Sequence, residues 1–403
     1  LFSTGSKYQK KPIWSVGAAW NIDRESFINL DWLNMLKLRT SYGIGGNIAK
    51  DSAPYMTAYY GNNTHVGGIT GTIGNRPNPD LRWEKTTTFN VGLDFSLLTN
   101  RLNGTLEFYN KLGSDLLANT NGVPTEGMGF STYTINNGRM TNRGFEVTLS
   151  ADVIRSSAWN WNVSGVLGYN KNKVTYVNVE APVSYLLIDY PSAYPRIGNP
   201  YNAIYGYQWA GLSAEGTPQV YDSKGNLFTD MEPSELEDLI YLGTTVPIYS
   251  GSISTNLSYR NWELAAQFLF EGGHKMRNTN LAYLSGMAPV SKQIEDRWQN
   301  PGDEAHTDIP RYISNENPLY NYNHYNMYAR SSVNVIDATN WKLDKLSLIY
   351  RIPNEVCQKI HLRNARIMLG MENVWTFARS TDAKYLLGGY VKPTYLCGIY
   401  LNF

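Results

Sequence analysis

Long hydrophobic runs are missing from this chain of 403 residues. No stretch approaches the roughly 18 consecutive apolar residues that a transmembrane helix needs. Cysteine is scarce too, and 2 cysteines in a chain of this length do not form a disulfide framework. Charged residues make up 17% of the chain, which is low. Their signs nearly cancel, at a formal net charge of +1, so the sequence gives no reason to expect a nucleic acid as a partner.

Aromatic residues are abundant, and most of them carry a polar tip: 30 Tyr and 11 Trp stand against 12 Phe. Apolar and aromatic residues recur with a period of two between Ile13 and Ile22, and again over 36–44, 83–97 and 143–152. Such alternation predicts β-strands with one apolar face and one wet face. Many segments are longer than the five or six residues that are typical of globular strands.

Aromatic residues stand at both ends of two of these segments. Trp159 and Tyr169 share one face, as do Tyr249 and Tyr259. A strand of about ten residues, tilted by about 40°, spans roughly 25 Å, the height of the apolar band between the aromatic girdles of an outer-membrane barrel. A water-soluble β-sandwich is the alternative, but its strands would be shorter. We therefore predict an all-β fold, a transmembrane antiparallel β-barrel in the lipid bilayer of the outer membrane.

The connections between these strands are alternately short and long. Short turns fall at 98–101, 153–158 and 260–261, and long polar loops at about 47–82, 118–137, 174–200, 273–337 and 377–391. Bacterial barrels keep short turns in the periplasm and long loops outside. Counting back from a final strand at 392–403 gives eleven or thirteen strands, depending on whether 200–226 crosses the membrane twice or not at all. Because complete bacterial barrels have an even strand number, we expect residues 1–403 to be the carboxy-terminal part of a larger barrel.

No motif typical of an enzyme, a metal centre or a cofactor site stands out. The histidines, at 65, 274, 306, 324 and 361, are isolated in loops or at the rim, and none has a His or Cys partner at metal-ligand spacing. The glycine-rich stretch 67–74 is interpreted as a flexible outer loop. The stretch 222–226 is interpreted as a turn, because Lys224 stands where a calcium loop needs an oxygen ligand. We predict no enzymatic activity, no cofactor and no metal, and we assign no role to Cys357 or Cys397.

Two of the predicted loops are rich in tyrosine and asparagine. The candidate ligand contacts are Tyr59 and Tyr60 in one loop and Tyr320, Tyr322 and Tyr325 in another. Flat rings stack on sugar faces, amides bond hydroxyl groups, and tyrosines become ordered at low entropic cost. The alternative is that these rings pack on one another within the loops.

Charged side chains occupy the face of the alternating strands that is opposite the apolar one. We expect them to line the barrel lumen or to hold a domain inside it; they are Lys37, Arg39, Glu84, Asp94, Glu146 and Asp152.

The chain ends on an alternating strand with an aromatic carboxy terminus. Tyr395, Ile399, Leu401 and Phe403 share one face of it. Such endings resemble the signal by which the barrel-assembly machinery recognises outer-membrane barrels. The alternative is a closing strand that happens to end in Phe.

Several stretches together resemble the carboxy-terminal half of the barrel in SusC/RagA-like TonB-dependent transporters of Bacteroidota. The matching stretches are 36–43 with Gly46-Asn47, Asn78–Thr87, Asn142–Glu146, the 301–311 loop and the ending at Phe403. The likeness extends over essentially the whole chain, and Asn78–Thr87 is quite specific to the family.

The resemblance implies a barrel of about 22 strands, of which about 11–13 are present here, filled by an amino-terminal plug. It implies a SusD-like surface lipoprotein as a lid, energy from the TonB complex, and import of large nutrients, usually oligosaccharides and sometimes peptides. The plug and the TonB-contacting box are absent from these residues. The alternatives are a peptide importer of the same family and a structural or secretion-associated barrel that anchors partner proteins.

Overall fold

The described part of the chain consists mainly of β-strands. The computed structural model describes residues 12–47, 55–65, 67–122, 125, 132–279, 281, 292–314, 316–387 and 391–403. In chain order the strands are β1 (Trp14–Asn21), β2 (Leu33–Asn47), β3 (Thr57–Asn63), β4 (Gly68–Asn75), β5 (Glu84–Leu97), β6 (Leu102–Asn121), β7 (Thr132–Arg155), β8 (Trp159–Tyr176), β9 (Ala203–Leu212), β10 (Pro218–Tyr221), β11 (Leu227–Phe228), β12 (Leu239–Thr244), β13 (Tyr249–Tyr259), β14 (Trp262–Gly272), β15 (Lys275–Arg277), β16 (Val335–Asp337), β17 (Asn340–Arg351), β18 (Asn364–Ala378) and β19 (Thr394–Asn402).

The helices are short. The α-helices are α1 (Ser184–Asp189), α2 (Tyr322–Arg330), α3 (Asn354–Lys359) and α4 (Thr381–Leu386). Single 3-10 turns occur at Ile22–Arg24, Leu236–Asp238, Lys292–Asp296, Asp303–Ala305 and Ser332–Asn334. Within the described ranges, no helix has the length and hydropathy that a membrane-crossing helix needs.

Eleven of the strands form one antiparallel sheet, here called the wall. Its order is β1-β2-β5-β6-β7-β8-β13-β14-β17-β18-β19, so each wall strand pairs with the next one along the chain, as in an up-and-down barrel. This confirms the predicted barrel class and agrees with the smaller of the two predicted strand numbers. The stretch 200–226 does not cross the wall, because β9 and β10 pair with β11 and β12 in a separate four-stranded sheet.

The two ends of the wall differ in the length of their connections. At one end, here called the turn end, the connections are 22–32, 98–101, 156–158, 260–261 and 352–363. At the other, the loop end, they are 48–83, 122–131, 177–248, 273–339 and 379–393. The predicted alternation of short turns and long loops is therefore confirmed except at 122–131, which is no longer than 22–32 or 352–363 at the turn end. The long connections place the loop end at the cell exterior.

The outward face of the wall is apolar and is bounded by two bands of aromatic rings. At the turn end, the ring centroids of Trp159 and Tyr259 are 4.2 Å apart, and those of Trp262 and Tyr350 are 4.6 Å apart. At the loop end the pairs are Trp14 with Tyr42, Phe145 with Tyr169, and Phe270 with Trp341, at 5.7, 5.3 and 4.9 Å. Exposed aliphatic side chains such as Ile253 lie between the bands. In an outer-membrane barrel, lipid covers such a surface.

The hairpin of β6 and β7 is longer than the sequence predicts. We predict a loop over 118–137, but β6 continues to Asn121 and β7 begins at Thr132, so that prediction is wrong for half of the stretch. The pairing passes through a bulge between Gly113 and Leu116. Beyond the membrane both faces of a hairpin meet water, so the apolar alternation that marks a strand in the sequence is lost there.

The stretch Asn78–Thr87 ties the start of β5 to this hairpin. Its Leu81 is buried. The backbone N–H of Arg82 donates to Oδ1 of Asn136 at 2.8 Å, and Nδ2 of Asn136 donates back to the Arg82 carbonyl at 2.7 Å. The guanidinium of Arg82 pairs with Asp115 at 3.0 Å. This stretch therefore fixes the position of the hairpin at the loop end.

The inward face of the wall is polar, and its charges pair across strands. Arg39 on β2 donates to Asp94 on β5 (Nε to Oδ2, 2.7 Å) and to Glu107 on β6 (Nη2 to Oε1, 2.7 Å). Glu84 accepts a hydrogen bond from the backbone of Leu117 at 3.0 Å. Several of the charges predicted to line the lumen therefore stabilise the wall itself. That these charges also hold a domain inside the barrel stays a prediction.

The largest buried core lies in a unit here called the loop assembly: residues 177–248, 273–279, 281, 292–314 and 316–339. The sheet of β9 to β12 stands at its centre, and α1 and α2 pack against it. The core consists of Ala181, Leu187, Ile188, Ala203, Tyr205, Tyr207, Val220, Leu239 and Met327. Because burial of a large apolar side chain stabilises a fold by about 1.5–3 kcal/mol, these residues join two wall connections into one packed unit.

Candidate ligand-binding surface

Tyr59 and Tyr60 lie on a two-stranded ribbon, the antiparallel pair β3 and β4, which is separate from the wall. As neighbours on one strand, they point to opposite faces of the ribbon. Each ring lies over a glycine of β4: a Cβ at Gly74 would come within 2.4 Å of the Tyr59 ring, and one at Gly71 within 3.3 Å of the Tyr60 ring. Tyr59 and Tyr60 remain 71% and 79% exposed. The ribbon therefore presents a flat aromatic surface on each side.

The glycine-rich stretch 67–74 is not a flexible loop, so that prediction is wrong. Most of it is the strand β4 (Gly68–Asn75). Its glycines have a packing role, since a side chain at Gly71 or Gly74 would displace the tyrosine ring that lies there. Glycine lowers strand propensity in general, and for that reason the sequence alone favoured a loop.

The second tyrosine group includes a helix that the sequence analysis placed in a loop. The helix α2 begins after Asn321, whose side chain accepts a hydrogen bond from the backbone N–H of Asn323 at 2.9 Å, as an N-cap does. Tyr322 and Tyr325 follow at a spacing of one turn, and their ring centroids are 6.0 Å apart. The prediction of a loop is wrong for these two residues.

The signal for this helix is present in the sequence. His324, Met327 and Tyr328 are buried at the spacing i, i+3, i+4, which is typical of one helix face. Alternation of Tyr and Asn over 320–326 conceals that period. Burial raises the pKa of the Tyr325 hydroxyl, and the neighbouring tyrosine hydroxyls raise it further. The group therefore stays protonated at neutral pH and can donate a hydrogen bond.

The tyrosine rings of the ribbon and of α2 pack against neighbouring residues and yet remain exposed to solvent. Tyr322 is 59% exposed although its ring lies near that of Tyr325, and the ribbon tyrosines are exposed although they lie on glycines. Self-packing, the alternative to ligand contact, therefore leaves flat ring surfaces accessible.

Arg330, the last residue of α2, anchors the helix in the loop assembly. Its guanidinium donates to Asp189 at the end of α1 (Nη2 to Oδ2, 2.6 Å) and to both carboxylate oxygens of Glu232 at 2.9 Å. Burial alone would lower the pKa of Arg330, but its hydrogen bonds to the two carboxylates outweigh burial and raise it. Burial raises the pKa of Glu232, while Arg330 opposes that shift. One guanidinium therefore joins two segments more than 90 residues away along the chain.

A second arginine holds the carboxyl end of α2 through backbone carbonyl groups and without a carboxylate bond. Arg277 on β15 donates to the carbonyl oxygen of Ala329 at 3.0 Å and to that of Tyr205 at 2.6 Å. Burial lowers the pKa of Arg277 to about 10, so it remains charged at neutral pH. Together with Arg330 it fixes the carboxyl end of α2 on β9, and this sets the orientation of Tyr322 and Tyr325.

A polar cleft of about 750 Å³ lies between the outer end of β6 and the loop assembly. Its lining includes Thr120, Asn178, Glu180, Tyr194, Arg196 and Glu237. Arg196 donates to the carbonyl of Leu236 at 3.2 Å. The cleft thus combines an aromatic ring, amides and charges of both signs. The sequence analysis did not find it, because its walls come from distant segments.

The 301–311 loop is fixed to the assembly by two tryptophans. The indole N–H of Trp209 donates to Oδ1 of Asp308 at 2.8 Å, between residues 99 apart in the chain. The ring of Trp298 lies against Gly216, where a Cβ would come within 2.3 Å of it. The resemblance to a family identified this loop, but its partners could not be read from the sequence.

The turn at 222–226 is confirmed. The carboxylate of Asp222 accepts hydrogen bonds from the backbone N–H groups of Lys224 and Asn226 at 2.9 and 2.7 Å. Two histidines that we placed in loops or at the rim, His274 and His324, are buried. Among the residues that the structure describes, no three His, Cys, Asp or Glu side chains come together as a metal-binding group.

The family of the chain follows from comparison with known proteins. The family described as TonB dependent receptor-like, beta-barrel, matches residues 2–348. The chain belongs to this family. Its members are receptor barrels of the outer membrane and not enzymes, so the predicted localisation, the absence of enzymatic activity and the SusC/RagA-like family are all confirmed.

Similar proteins cover most or all of the chain. TonB-dependent receptor P26 of Formosa agariphila is 28% identical over 95% of this chain and 39% of that protein. TonB-dependent receptor SusC of Bacteroides thetaiotaomicron is 30% identical over 64% of this chain and 28% of that protein. Among solved structures, the RagAB peptide transporter is 24% identical with a TM-score of 0.78 over 100% of this chain and 44% of that chain, which shows the same fold. The chain therefore spans less than half the length of these proteins.

Proposed function

We propose that the protein containing this chain imports large nutrients through the outer membrane, with energy from the TonB complex and with a SusD-like surface lipoprotein as a lid. Membership of the receptor family supports TonB dependence. The likeness to SusC, over 64% of the chain, supports a transporter of that type.

An oligosaccharide is the substrate class that we propose first. The observation that carries this proposal is the ribbon of β3 and β4, where the rings of Tyr59 and Tyr60 lie against Gly74 and Gly71 and stay exposed. A ring held against the backbone loses little entropy when a sugar face stacks on its free side. Tyr322 in α2 presents a further exposed ring on which a sugar face can stack.

The test is uptake in cells that carry the complete transporter and its lid, with a panel of fluorescent neutral oligosaccharides. Tyr59→Ala with Tyr60→Ala should lower uptake about tenfold, since two lost stacking contacts are worth roughly 1.4 kcal/mol. The matched control replaces both residues with Phe, which keeps the rings and should keep uptake within about twofold. Equal uptake by the Ala and Phe variants would remove the ribbon from the binding surface.

The same assay tests the second tyrosine group. Replacement of Tyr320, Tyr322 and Tyr325 by Ala should weaken uptake, whereas replacement by Phe should preserve stacking and remove only the hydroxyl bonds. Unchanged uptake in the Ala variant would mean that these rings serve packing alone.

A peptide is the second candidate substrate. The cleft between β6 and the loop assembly favours it, because Glu180 and Glu237 line the cleft together with Arg196. A lining with charges of both signs can pair with the two termini and the charged side chains of a peptide. A neutral glycan has no charges that could pair with it. Arg196→Gln should then lower uptake of a labelled peptide mixture and leave oligosaccharide uptake unchanged. The reverse result would exclude the peptide at this cleft.

The lid and the assembly machinery are proposed partners with separate tests. Purification of the complete transporter from its own outer membrane should recover a surface lipoprotein. If uptake fails with every substrate while that lipoprotein remains bound, the protein is an anchoring barrel.

Tyr395, Ile399, Leu401 and Phe403 are all more than half exposed on one face of the last strand, where the barrel-assembly machinery can contact them. Phe403→Ala should lower the amount of barrel inserted in the outer membrane.

A further inference from the structure

One connection at the turn end is a helix packed on the outside of the wall. The wall residues Ile367, Leu369 and Leu401 on the outward face are 37%, 53% and 51% exposed. Ala365 belongs to the same face, since it is two residues from Ile367 and pairs with Leu401, yet it is 3% exposed. Something therefore covers the outward face at this point.

The cover is α3. Its Cys357 is fully buried and forms one apolar cluster with Leu362, Ala365 and the partly buried Ile352. The thiol lies 3.6 Å from the carbonyl oxygen of Ile352. Since Ile352 and Ala365 lie on the side of the wall that faces lipid, α3 lies on that side as well and not beneath the lumen.

The depth of α3 follows from the strand register. Tyr350 of the aromatic band at the turn end pairs with Ile367, and Ala365 is two residues further toward the periplasm. At about 3.3 Å per residue this places α3 roughly 7 Å beyond that band. Aromatic bands mark the membrane–water boundary, so this is the depth of the phospholipid headgroups in the inner leaflet.

The sequence of α3 has the pattern that this depth requires. Val356 and Cys357 lie on one arc of the helix, and Ile360, its C-cap residue, continues that arc, while Glu355, Gln358 and Lys359 lie on the other. Cys357 contacts the wall, but Val356 and Ile360 are 47% and 55% exposed. An apolar arc of this kind, next to a lipid-facing surface, is typical of a helix that lies in a membrane interface.

We propose that α3 is an interfacial helix bound to the inner leaflet of the outer membrane, with Val356 and Ile360 inserted at the acyl boundary of the phospholipids. Lys359 and Arg363 are exposed beside it and lie where they meet the phosphate groups. The helix thus extends the lipid-facing surface beyond the strands and fixes the depth of the barrel in the membrane. Phospholipid is the proposed occupant because the apolar arc continues a surface that lipid already covers.

Spin labels on the complete transporter test this inference in vesicles of phosphatidylethanolamine and phosphatidylglycerol. A nitroxide is attached at Val356→Cys, Ile360→Cys or Gln358→Cys in a Cys397→Ser background, and buried Cys357 stays in place. The label on native Cys397, which is exposed on the outward face, gives the lipid reference. These positions are exposed, so the labels do not disturb the buried cluster.

At positions 356 and 360 the ratio of relaxation by oxygen to relaxation by a water-soluble nickel chelate should be several-fold higher than at 358. It should be lower than at Cys397, because the pairing partner of Cys397, Leu369, lies further into the bilayer than Ala365 does. Equal ratios at 356, 358 and 360 would overturn the proposal, because the helix would then lie in water. Protection of 356 and 360 from both reagents would overturn it as well, because a protein would then cover the helix instead of lipid.

Discussion

The wall and the loop assembly bury apolar side chains in different ways. In the wall, Ile253 is 39% exposed, and lipid covers what the protein does not. In the loop assembly, Leu187 is 1% exposed, and protein alone covers it. The same chain therefore contains one region whose stability depends on the membrane and one that packs as a water-soluble protein does.

The ion pairs of the two regions also differ in how far solvent reaches them. Arg39 in the wall pairs with carboxylates in a wet lumen, with 34% of its side chain exposed. Arg330 in the loop assembly is 17% exposed and pairs with Asp189 and Glu232. Solvated ion pairs contribute little, whereas loss of one partner from a buried cluster leaves unpaired charge and is costly. The position of a charge, rather than the number of its partners, should decide the effect of removing it.

The largest effect is expected from Arg330→Met. It leaves Asp189 and the partly buried Glu232 without their cation, so the free energy of unfolding of the loop assembly should fall by about 3–5 kcal/mol. Limited proteolysis and thermal unfolding of the assembly measure this. Arg39→Met is the control in the wall and should cost less than about 1 kcal/mol. Equal losses would contradict the distinction between the two regions.

A charge on the lipid side of the wall should have the next largest effect. Ile253 lies on the outward face between Tyr249 and Tyr259, close to the middle of the bilayer. Ile253→Arg should destabilise the barrel by about 2–4 kcal/mol in unfolding from lipid vesicles. Ser254→Arg places the same charge one residue away on the lumen side and should have little effect. If the two variants behaved alike, the assignment of the faces would be wrong.

A smaller loss is expected where a glycine supports the 301–311 loop. Gly216 has φ +73 and carries the ring of Trp298, so Gly216→Ala adds both backbone strain and a steric clash. We expect a loss of about 1–3 kcal/mol in the loop assembly. Gly225→Ala is the matched control, since Gly225 has φ +82 with open space around its Cβ position. The amount by which the stability loss of Gly216→Ala exceeds that of Gly225→Ala measures the steric clash with Trp298. Equal losses would mean that the ring of Trp298 does not lie against Gly216.

The smallest effect is a pH dependence from His274. Burial lowers the pKa of His274 below its ordinary value of 6.5, so the unfolded chain takes up a proton at a higher pH than the folded protein does. The free energy of unfolding of the loop assembly should therefore fall as the pH drops below about 6.5, and level off below the folded-state pKa. His274→Gln should flatten this part of the thermal-stability profile. His306→Gln, at an exposed histidine, should not, and an identical profile for both variants would exclude His274 as the source.

The wall could be predicted from the sequence because each of its strands separates lipid from water along its whole membrane-spanning length. Lipid on one face and water on the other impose a period of two, and this marks strands such as β1, which runs from Trp14 to Asn21 within the predicted 13–22. The aromatic ends of β13 were visible for the same reason. The outer part of the β6–β7 hairpin has water on both faces, so its sequence does not alternate, and there the prediction was wrong.

The candidate site was predicted only in part. The tyrosines were identified by composition, but their support was not: Gly71 and Gly74 looked like loop residues, and the helix α2 looked like a polar loop. The contacts that fix α2 join Arg330 to residues 98 and 141 positions away. A pattern that is read locally contains no information about such partners.

The most direct test of the account is which side of the outer membrane each end of the wall faces. Lys224→Cys, at the turn in the loop assembly, and Gln358→Cys, on the polar side of α3, are compared in intact cells in a Cys397→Ser background. A membrane-impermeant maleimide should label position 224 in intact cells and position 358 only after the outer membrane is permeabilised. Labelling of 358 in intact cells, or protection of 224, would contradict an exterior loop assembly and a periplasmic turn end.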